Sequence, residues 1–572
     1  MLICVGVYLP GLWSLPPVDR DESRFAQASR QMVEAQDWSG WLIPMVQDRS
    51  RLNKPPLIYW LQAASARAIV PGEPHAADPW AHASLVWPYR LPSILAALIA
   101  VLATWRIGVT MFDARAGWLG ALLLAVCPLM IWESKQARAD MVLLAATTVA
   151  MWMVWSMFRR RRENKAGHPH AGRARLLKQA VLWLAVTAGV MTKGPVTVMV
   201  LGLTILFIGV MTRRWRWIGG LRPVLGVILV AAVLGAWVWQ VAARVGWSEY
   251  ARIVGDEVLG RSVSPKEGHW GPPGYHLVLL AALLWPGSLL TATALGRALH
   301  RGVRGERGAG GWLSGLRSWW KSRHGGRRDE LFCLAWILPS WIVFELIGTK
   351  LPHYTLPMYP PIALLSARAV LAAAAGSLSR VERTRCKAGF VVWLLLGLAI
   401  TVAGPAGLWW VAARAEEQHL VWWALGASIT ALAALLLSVR CLRHRRFIAV
   451  QLAGVAALAA SWPVLIGIVL PRLEEVWVTR GVQRALAASD PSAQRPVAAI
   501  GYHEDSLIFM THGRARRIGA EELPAWFTAH PGGLVVAPLE GAPDGLRRLD
   551  SIAGYNYSKG RRVRLLVADR AP

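Results

Sequence analysis

"DRDESRFAQASRQMVEAQDW", Asp19 to Trp38, follows one residue after the apolar run "LICVGVYLPGLWSLPP" at residues 2 to 17. From Phe25 the apolar residues recur as Phe25, Ala28, Met32 and Val33, while Arg24, Gln27, Gln31 and Glu34 take the other side. That period predicts an amphipathic helix lying along a membrane interface. At about 100° per residue, Asp21 falls on the side of Phe25 and Met32. A carboxylate on the apolar side of such a helix needs a reason.

The rest of the chain supplies the membrane. Of 572 residues 55% are hydrophobic, and the mean hydropathy is +0.37, too apolar for a soluble multidomain enzyme. Spans are expected at roughly 1 to 16, 88 to 107, 116 to 133, 139 to 158, 178 to 192, 195 to 211, 222 to 243, 274 to 296, 331 to 348, 354 to 374, 389 to 413, 420 to 439 and 447 to 470, about thirteen in all. The formal charge of +29 is concentrated in short loops: Arg159 to Lys178, Arg213 to Trp217, Arg297 to Arg328, Ser379 to Lys387 and Arg440 to Arg446. With the N-terminus inside, every one of these clusters lands on the cytoplasmic side, as the positive-inside rule requires. The outer side then receives the loops at 17 to 87 and 244 to 273 and the C-terminal segment. Basic residues so placed exclude a nucleic-acid protein.

The first span has neither a basic flank nor a small-residue cleavage site, so it reads as an anchor. Many of the 32 tryptophans sit at span ends, where they anchor at the interface. The five cysteines show no metal spacing and do not report a redox compartment. "KPPLIYWLQAASARAIV" from Lys54 predicts a second interfacial helix with prolines in its first turn. After Pro471 the composition turns mixed, with strand-like "RPVAAIGY", "GGLVVAPL" and "RVRLLVAD" and a helical "AEELPAWFTAH". The expected division is therefore a transmembrane domain over 1–470 and a small external α/β domain over 471–572.

Away from the basic loops, Glu133, Lys135, Arg138, Asp140, Lys193, Glu345, Lys350 and His353 lie at outer span ends. Charges at membrane depth are expensive and usually serve a site. Joined with Asp21, Glu22, Arg24 and Lys54, and with Asp256, Glu257, Arg261 and His269 of the second large loop, they are expected to line one polar cavity. Cations there suit a phosphate at headgroup level with its lipid tail between spans, and Arg24, Lys54, Arg138, Lys193 and Lys350 are the candidates. If that phosphate leaves a sugar carbon it departs as a stabilised anion, so positive charge suffices and no proton donor is needed. One carboxylate can then serve an inverting displacement as general base. Asp21 is that carboxylate, with Glu22 beside it, while Arg261 and His353 are assigned to substrate. The plainer alternatives are that Asp19, Asp21 and Glu22 only complement a helix dipole and that Lys54 and Lys350 only snorkel to headgroups.

"RDESRFAQASRQMVEAQDWSGWLIPMVQDRSRLNKPPLIYWL" resembles the first outer loop of the lipid A aminoarabinose transferases and of the protein O-mannosyltransferase-like membrane glycosyltransferases. "RADMVLL", "MTKGPV" and "GTKLPHYTLPMYPPIALL" resemble further segments of that family, in order along the membrane part. The resemblance implies a polyprenyl-phosphate sugar donor, Asp21 as the catalytic carboxylate, and roles for Lys54, Asp140, Lys350 and Tyr354. His269 is similar to the family's His before its eighth span. The aminoarabinose transferases carry a Glu before the Lys-Pro and use it with a loop His to hold a metal. Here Asn53 and Asp256 stand at those places, so a divalent ion would fall to Asp256, Glu257 and His269. The reading is an inverting glycosyltransferase of the plasma membrane, the bacterial inner membrane, that modifies a lipid A-like glycolipid, a protein hydroxyl or a cell-envelope glycan on the outer face. The rival is a transporter or flippase of a lipid-linked sugar, which usually shows paired halves with broken helices.

Overall fold

The computed structural model describes residues 1–70, 78–159, 171–258, 271–301, 328–404, 406–407 and 418–571. It is a helical membrane protein carrying a small C-terminal sheet domain. Among the described residues eight helices are long and apolar enough to cross a bilayer, including Asp140–Arg159, Gly172–Lys193, Pro223–Val245 and Leu420–Arg443. The pair Ala114–Ala125 and Pro128–Ser134, bent by 60°, makes up to nine, and Val196–Thr212 is a shorter apolar helix.

The expected thirteen spans are thus reached only in part. Where a span was expected at 1 to 16, helix covers only Leu2–Tyr8. The span at 274 to 296 is broken into Tyr275–Leu283, the short turn Gly287–Leu290 and Thr291–Leu299, because Pro286 removes a backbone donor in mid-run. Composition counts apolar residues; it does not show where a proline interrupts them.

Helix Trp87–Met111 returns into Ala114–Ala125 across a contact of small residues. A Cβ on Gly108 would lie 2.5 Å from the Gly117 Cα, so only glycines let these backbones meet. At the other end of the bundle Gly194, with φ of +66°, and Pro195 reverse the chain between Ala171–Lys193 and Val196–Thr212. That reversal leaves Lys193 at a helix terminus.

The first loop folds as helix Asp21–Glu34, a two-residue hairpin of β1 (Met45–Val46) and β2 (Arg49–Ser50), and helix Leu57–Ile69. The apolar side read from the sequence is buried as expected: Phe25, Ala28 and Met32 join Tyr8, Leu12, Ile58 and Tyr59 in the core. The polar side has partners too. Arg24 pairs with Asp505, Arg30 donates to the Phe509 carbonyl and Glu34 lies 2.7 Å from His512, because the C-terminal domain sits on this helix.

That domain is a five-stranded sheet in the order β4-β3-β5-β7-β6. β3 (Val497–Ala499) runs parallel to β4 (Ala515–Arg517) and β5 (Leu534–Pro538), while β7 (Arg561–Arg570) is antiparallel to β5 and to β6 (Leu546–Asn556). Val497, Ala499, Leu534 and Val536 pack on one face with Val482 and Leu486 of helix Val478–Ser489. Ala498, Val535 and Ala537 pack on the other with Leu523, Trp526 and Phe527. Central strands buried on both faces read as unbroken apolar runs, which is why "GGLVVAPL" stood out.

Candidate functional site

Asp21 is the first residue of its helix. Arg20, before it, has φ of 64° and ψ of −116°, a region that costs a non-glycine residue about 1–3 kcal/mol. The Asp21 carboxylate faces Arg51 at 3.6 Å and Arg138 at 3.5 Å. Burial alone would raise its proton affinity, but Lys54, Arg138, Arg51 and Arg24 outweigh burial and hold it well below the usual carboxylate range. Lys54 and Arg51 both lie over the Phe25 ring at 4.8 Å. Burial lowers Lys54 to about 8, with Asp21 opposing the shift.

Arg138 links Asp21 to a second group of carboxylates. It reaches Glu133 at 3.3 Å and Asp140 at 3.8 Å, and these anions outweigh burial to hold it charged. Lys193 closes on Asp140 at 2.5 Å and lies 5.4 Å above the Tyr354 ring. His353 stands between the acids, 3.6 Å from Glu133 and 3.6 Å from Asp140. Residues more than three hundred positions apart in the chain therefore share one cluster. Among the described residues its cations, Arg51, Lys54, Arg138 and Lys193, outnumber its carboxylates, Asp21, Glu133 and Asp140, which suits a ligand anion.

Other expected site residues are placed elsewhere. Glu22 is buried and fully engaged: it accepts from Arg90 Nε and Nη2 at 2.9 Å each and from the backbone N–H of Val18 and Ala137 at 2.8 Å. Arg24 pairs with Asp505 of the C-terminal domain at 2.7 Å. Lys350 is buried and donates to the Ile347 carbonyl at 2.8 Å; it packs against Gly271, and among the described residues no ion pair joins it to the cluster. Asp256 is exposed and pairs with Arg252 at 3.6 Å on its own helix. The Glu257 side chain, Arg261 and His269 lie outside the described residues.

Two members of the cluster, Glu133 and Arg51, carry no role that the sequence assigns. Glu133 was visible as an acid at a span end. Arg51 sits in a polar turn like any surface arginine, so nothing in its context marked it. Arg90 carried a clearer signal, as a guanidinium inside the apolar helix Trp87–Met111, and it proves to be the partner of Glu22.

Glu133, Asp140 and His353 offer three ligand atoms within 4.8 Å of one another, a donor set that a divalent ion can use. Glu133 Oε2 is buried without a hydrogen-bond partner, which fits such an ion. Lys193 and Arg138 already neutralise the same carboxylates, so an ion would enter by displacing the Lys193 ammonium.

No family model matches the chain. Its curated relatives include the undecaprenyl phosphate-alpha-4-amino-4-deoxy-L-arabinose arabinosyl transferase of Pectobacterium atrosepticum, 26% identical over 400 residues. The enzyme of that name from Pseudomonas aeruginosa PAO1 is 27% identical over 365 residues. This chain is similar in sequence to the aminoarabinose transferases. The matches span 69% and 63% of the chain and 62% and 56% of the relatives' own lengths, less than two thirds of either enzyme. Among solved structures, ArnT from Cupriavidus metallidurans bound to undecaprenyl phosphate superposes with a TM-score of 0.71 at 18% identity, covering 99% of this chain and 96% of that one. The apo oligosaccharyltransferase of Archaeoglobus fulgidus superposes at 0.52 with 10% identity, covering 94% of this chain and 68% of the other. The chain shares its fold with both of these proteins.

Proposed function

We propose that the chain is an inverting glycosyltransferase that moves a sugar from a polyprenyl-phosphate donor to an acceptor at the outer face of the membrane. The observation that carries this reading is a carboxylate, Asp21, ringed by Arg51, Lys54 and Arg138 where the first loop meets the bundle. The surplus of cations suits the negative charge of a phosphodiester-linked sugar. When the bond from the sugar's C1 to the phosphate oxygen breaks, its electron pair stays on the phosphate and raises that charge. The cations therefore bind the departing group more strongly than the intact donor, which is how a site accelerates a reaction.

The environment of Asp21 bears on its role. A carboxylate held so strongly ionised is a weak general base. Asp21 therefore serves better by stabilising positive charge developing on the sugar and by orienting the acceptor. That arrangement suits an acceptor that arrives already ionised, as a lipid A-like phosphate does, which attacks C1 from the face opposite the leaving phosphate. The relatives' donor, undecaprenyl-phosphate aminoarabinose, is the first to assay. A divalent ion at Glu133, Asp140 and His353 would add positive charge to the same site.

The outward placement rests on the arginines at the other helix ends: Arg159 ends the helix that Asp140 begins, and Arg213 follows the helix that starts beside Lys193. Asp21→Asn in the reconstituted full chain is expected to abolish release of undecaprenyl phosphate from undecaprenyl-phosphate aminoarabinose in the presence of lipid A, while leaving binding of undecaprenyl phosphate measurable. Undiminished turnover would remove Asp21 from the mechanism. Movement of the donor across the bilayer without transfer would favour a flippase.

A further inference from the structure

The residues flanking Asp21 are held by the C-terminal domain. On one side, the Asp19 N–H donates to the Tyr557 hydroxyl at 2.9 Å, Asp19 Oδ1 accepts from the Ser506 N–H at 2.9 Å, and the Arg20 guanidinium donates to the Ser558 carbonyl at 2.5 Å. One helical turn beyond, Arg24 Nε meets Asp505 Oδ2 at 2.7 Å, and Arg517 secures the other oxygen of that carboxylate at 2.8 Å. Tyr557 packs against Trp477, with ring centroids 5.8 Å apart, so its hydroxyl is fixed from behind.

Between these anchors lies Arg20 in its positive-φ conformation. Left to itself a non-glycine residue leaves that region. Any relaxation of Arg20 swings the start of the helix and carries Asp21 away from Arg51 and Arg138. Further contacts pin the rest of the loop to the same domain: Arg30 donates to the Phe509 carbonyl at 2.8 Å and Gln47 to the Gly513 carbonyl at 3.0 Å. These could hold the domain in place without touching the geometry of residues 19 to 24.

We propose that Tyr557 and Asp505 are positioning residues: the C-terminal domain holds Asp19 and Arg24 so that Arg20 keeps its strained backbone and Asp21 stays aimed at the cation cluster. The inference rests on the transferase reading and gives the sheet domain a task within it. It makes the domain part of the active-site geometry. It also separates two effects that a merely stabilising domain would not separate, because the cations that bind phosphate are anchored in the membrane part and the first loop.

The test compares wild type, Tyr557→Phe, Asp505→Asn, Arg20→Gly and the double variant Tyr557→Phe with Arg20→Gly. All are full-length chains in vesicles, assayed with undecaprenyl-phosphate aminoarabinose and lipid A. Tyr557→Phe and Asp505→Asn are each expected to lower kcat by about tenfold or more, as small misplacements of a reacting group do, with donor KM and undecaprenyl phosphate affinity changed by less than about twofold. Glycine reaches positive φ without strain, so Arg20→Gly is expected to restore much of the kcat lost in Tyr557→Phe. Wild-type kcat in both single variants overturns the proposal, as does a loss mirrored in undecaprenyl phosphate affinity or one that Arg20→Gly leaves untouched. If Asp21→Asn is inactive while both clamp variants are normal, only the positioning role falls. If Asp21→Asn is active, Asp21 has no part in transfer and the positioning role falls with it; if the wild type itself transfers no sugar, the transferase reading fails.

Discussion

At the residue scale the account turns on charge held out of water. Lys54, lowered to about 8 by burial, is charged below that pH and neutral above it. Donor binding should therefore weaken as pH rises through about 8, seen as a rising KM in steady-state assays between pH 6 and 9.5. Lys54→Arg, whose guanidinium stays protonated, should flatten that limb, and a KM that rises identically in both proteins would take Lys54 out of phosphate binding. Asp21 and Lys54 were legible in the sequence because an acid on an apolar helix face and a lysine beside two prolines stand out from their surroundings. Arg51 was not, since its role depends on a hairpin turn, Met45–Val46 against Arg49–Ser50, that no periodicity announces. Glu22 was legible as a neighbour of Asp21 but not as the buried partner of Arg90 sixty-eight positions away.

At the scale of elements, that Glu22–Arg90 pair joins the first-loop helix to the membrane helix Trp87–Met111. Both side chains are fully buried, and Arg90 also donates to the Leu12, Leu15 and Pro16 carbonyls at 2.8–3.0 Å. Breaking a buried pair from one side leaves an uncompensated charge, which costs about 3–5 kcal/mol. Arg90→Met is thus expected to destabilise the chain by that order, whereas the double change Glu22→Gln with Arg90→Met should recover part of the loss; thermal unfolding in detergent would show whether it does. The apolar helices were readable because their composition alone marks them. In the C-terminal domain the buried strands β3, β5 and β7 were readable as apolar runs. β6 was not: "LRRLDSIAGYN" is largely exposed at the sheet edge, so it lacks the alternation that burial on one face imposes.

At the scale of the whole molecule, a cluster at one end of a helical bundle is roofed by the first loop and the sheet domain together. The sequence predicted that convergence from charges at outer span ends, and Asp21, Arg138, Asp140, Lys193 and His353 do meet. It did not foresee that the polar side of helix Asp21–Glu34 would find partners in the C-terminal domain, because pairing between segments almost five hundred residues apart leaves no local pattern. The most direct measurement is a cryo-EM map of the full chain in nanodiscs with undecaprenyl phosphate. The account predicts phosphate density in contact with Lys54 and Arg138 beside the Asp21 carboxylate. Density seated at the opposite helix ends, or farther from Asp21 than the screening length of about 8 Å at physiological salt, would contradict it.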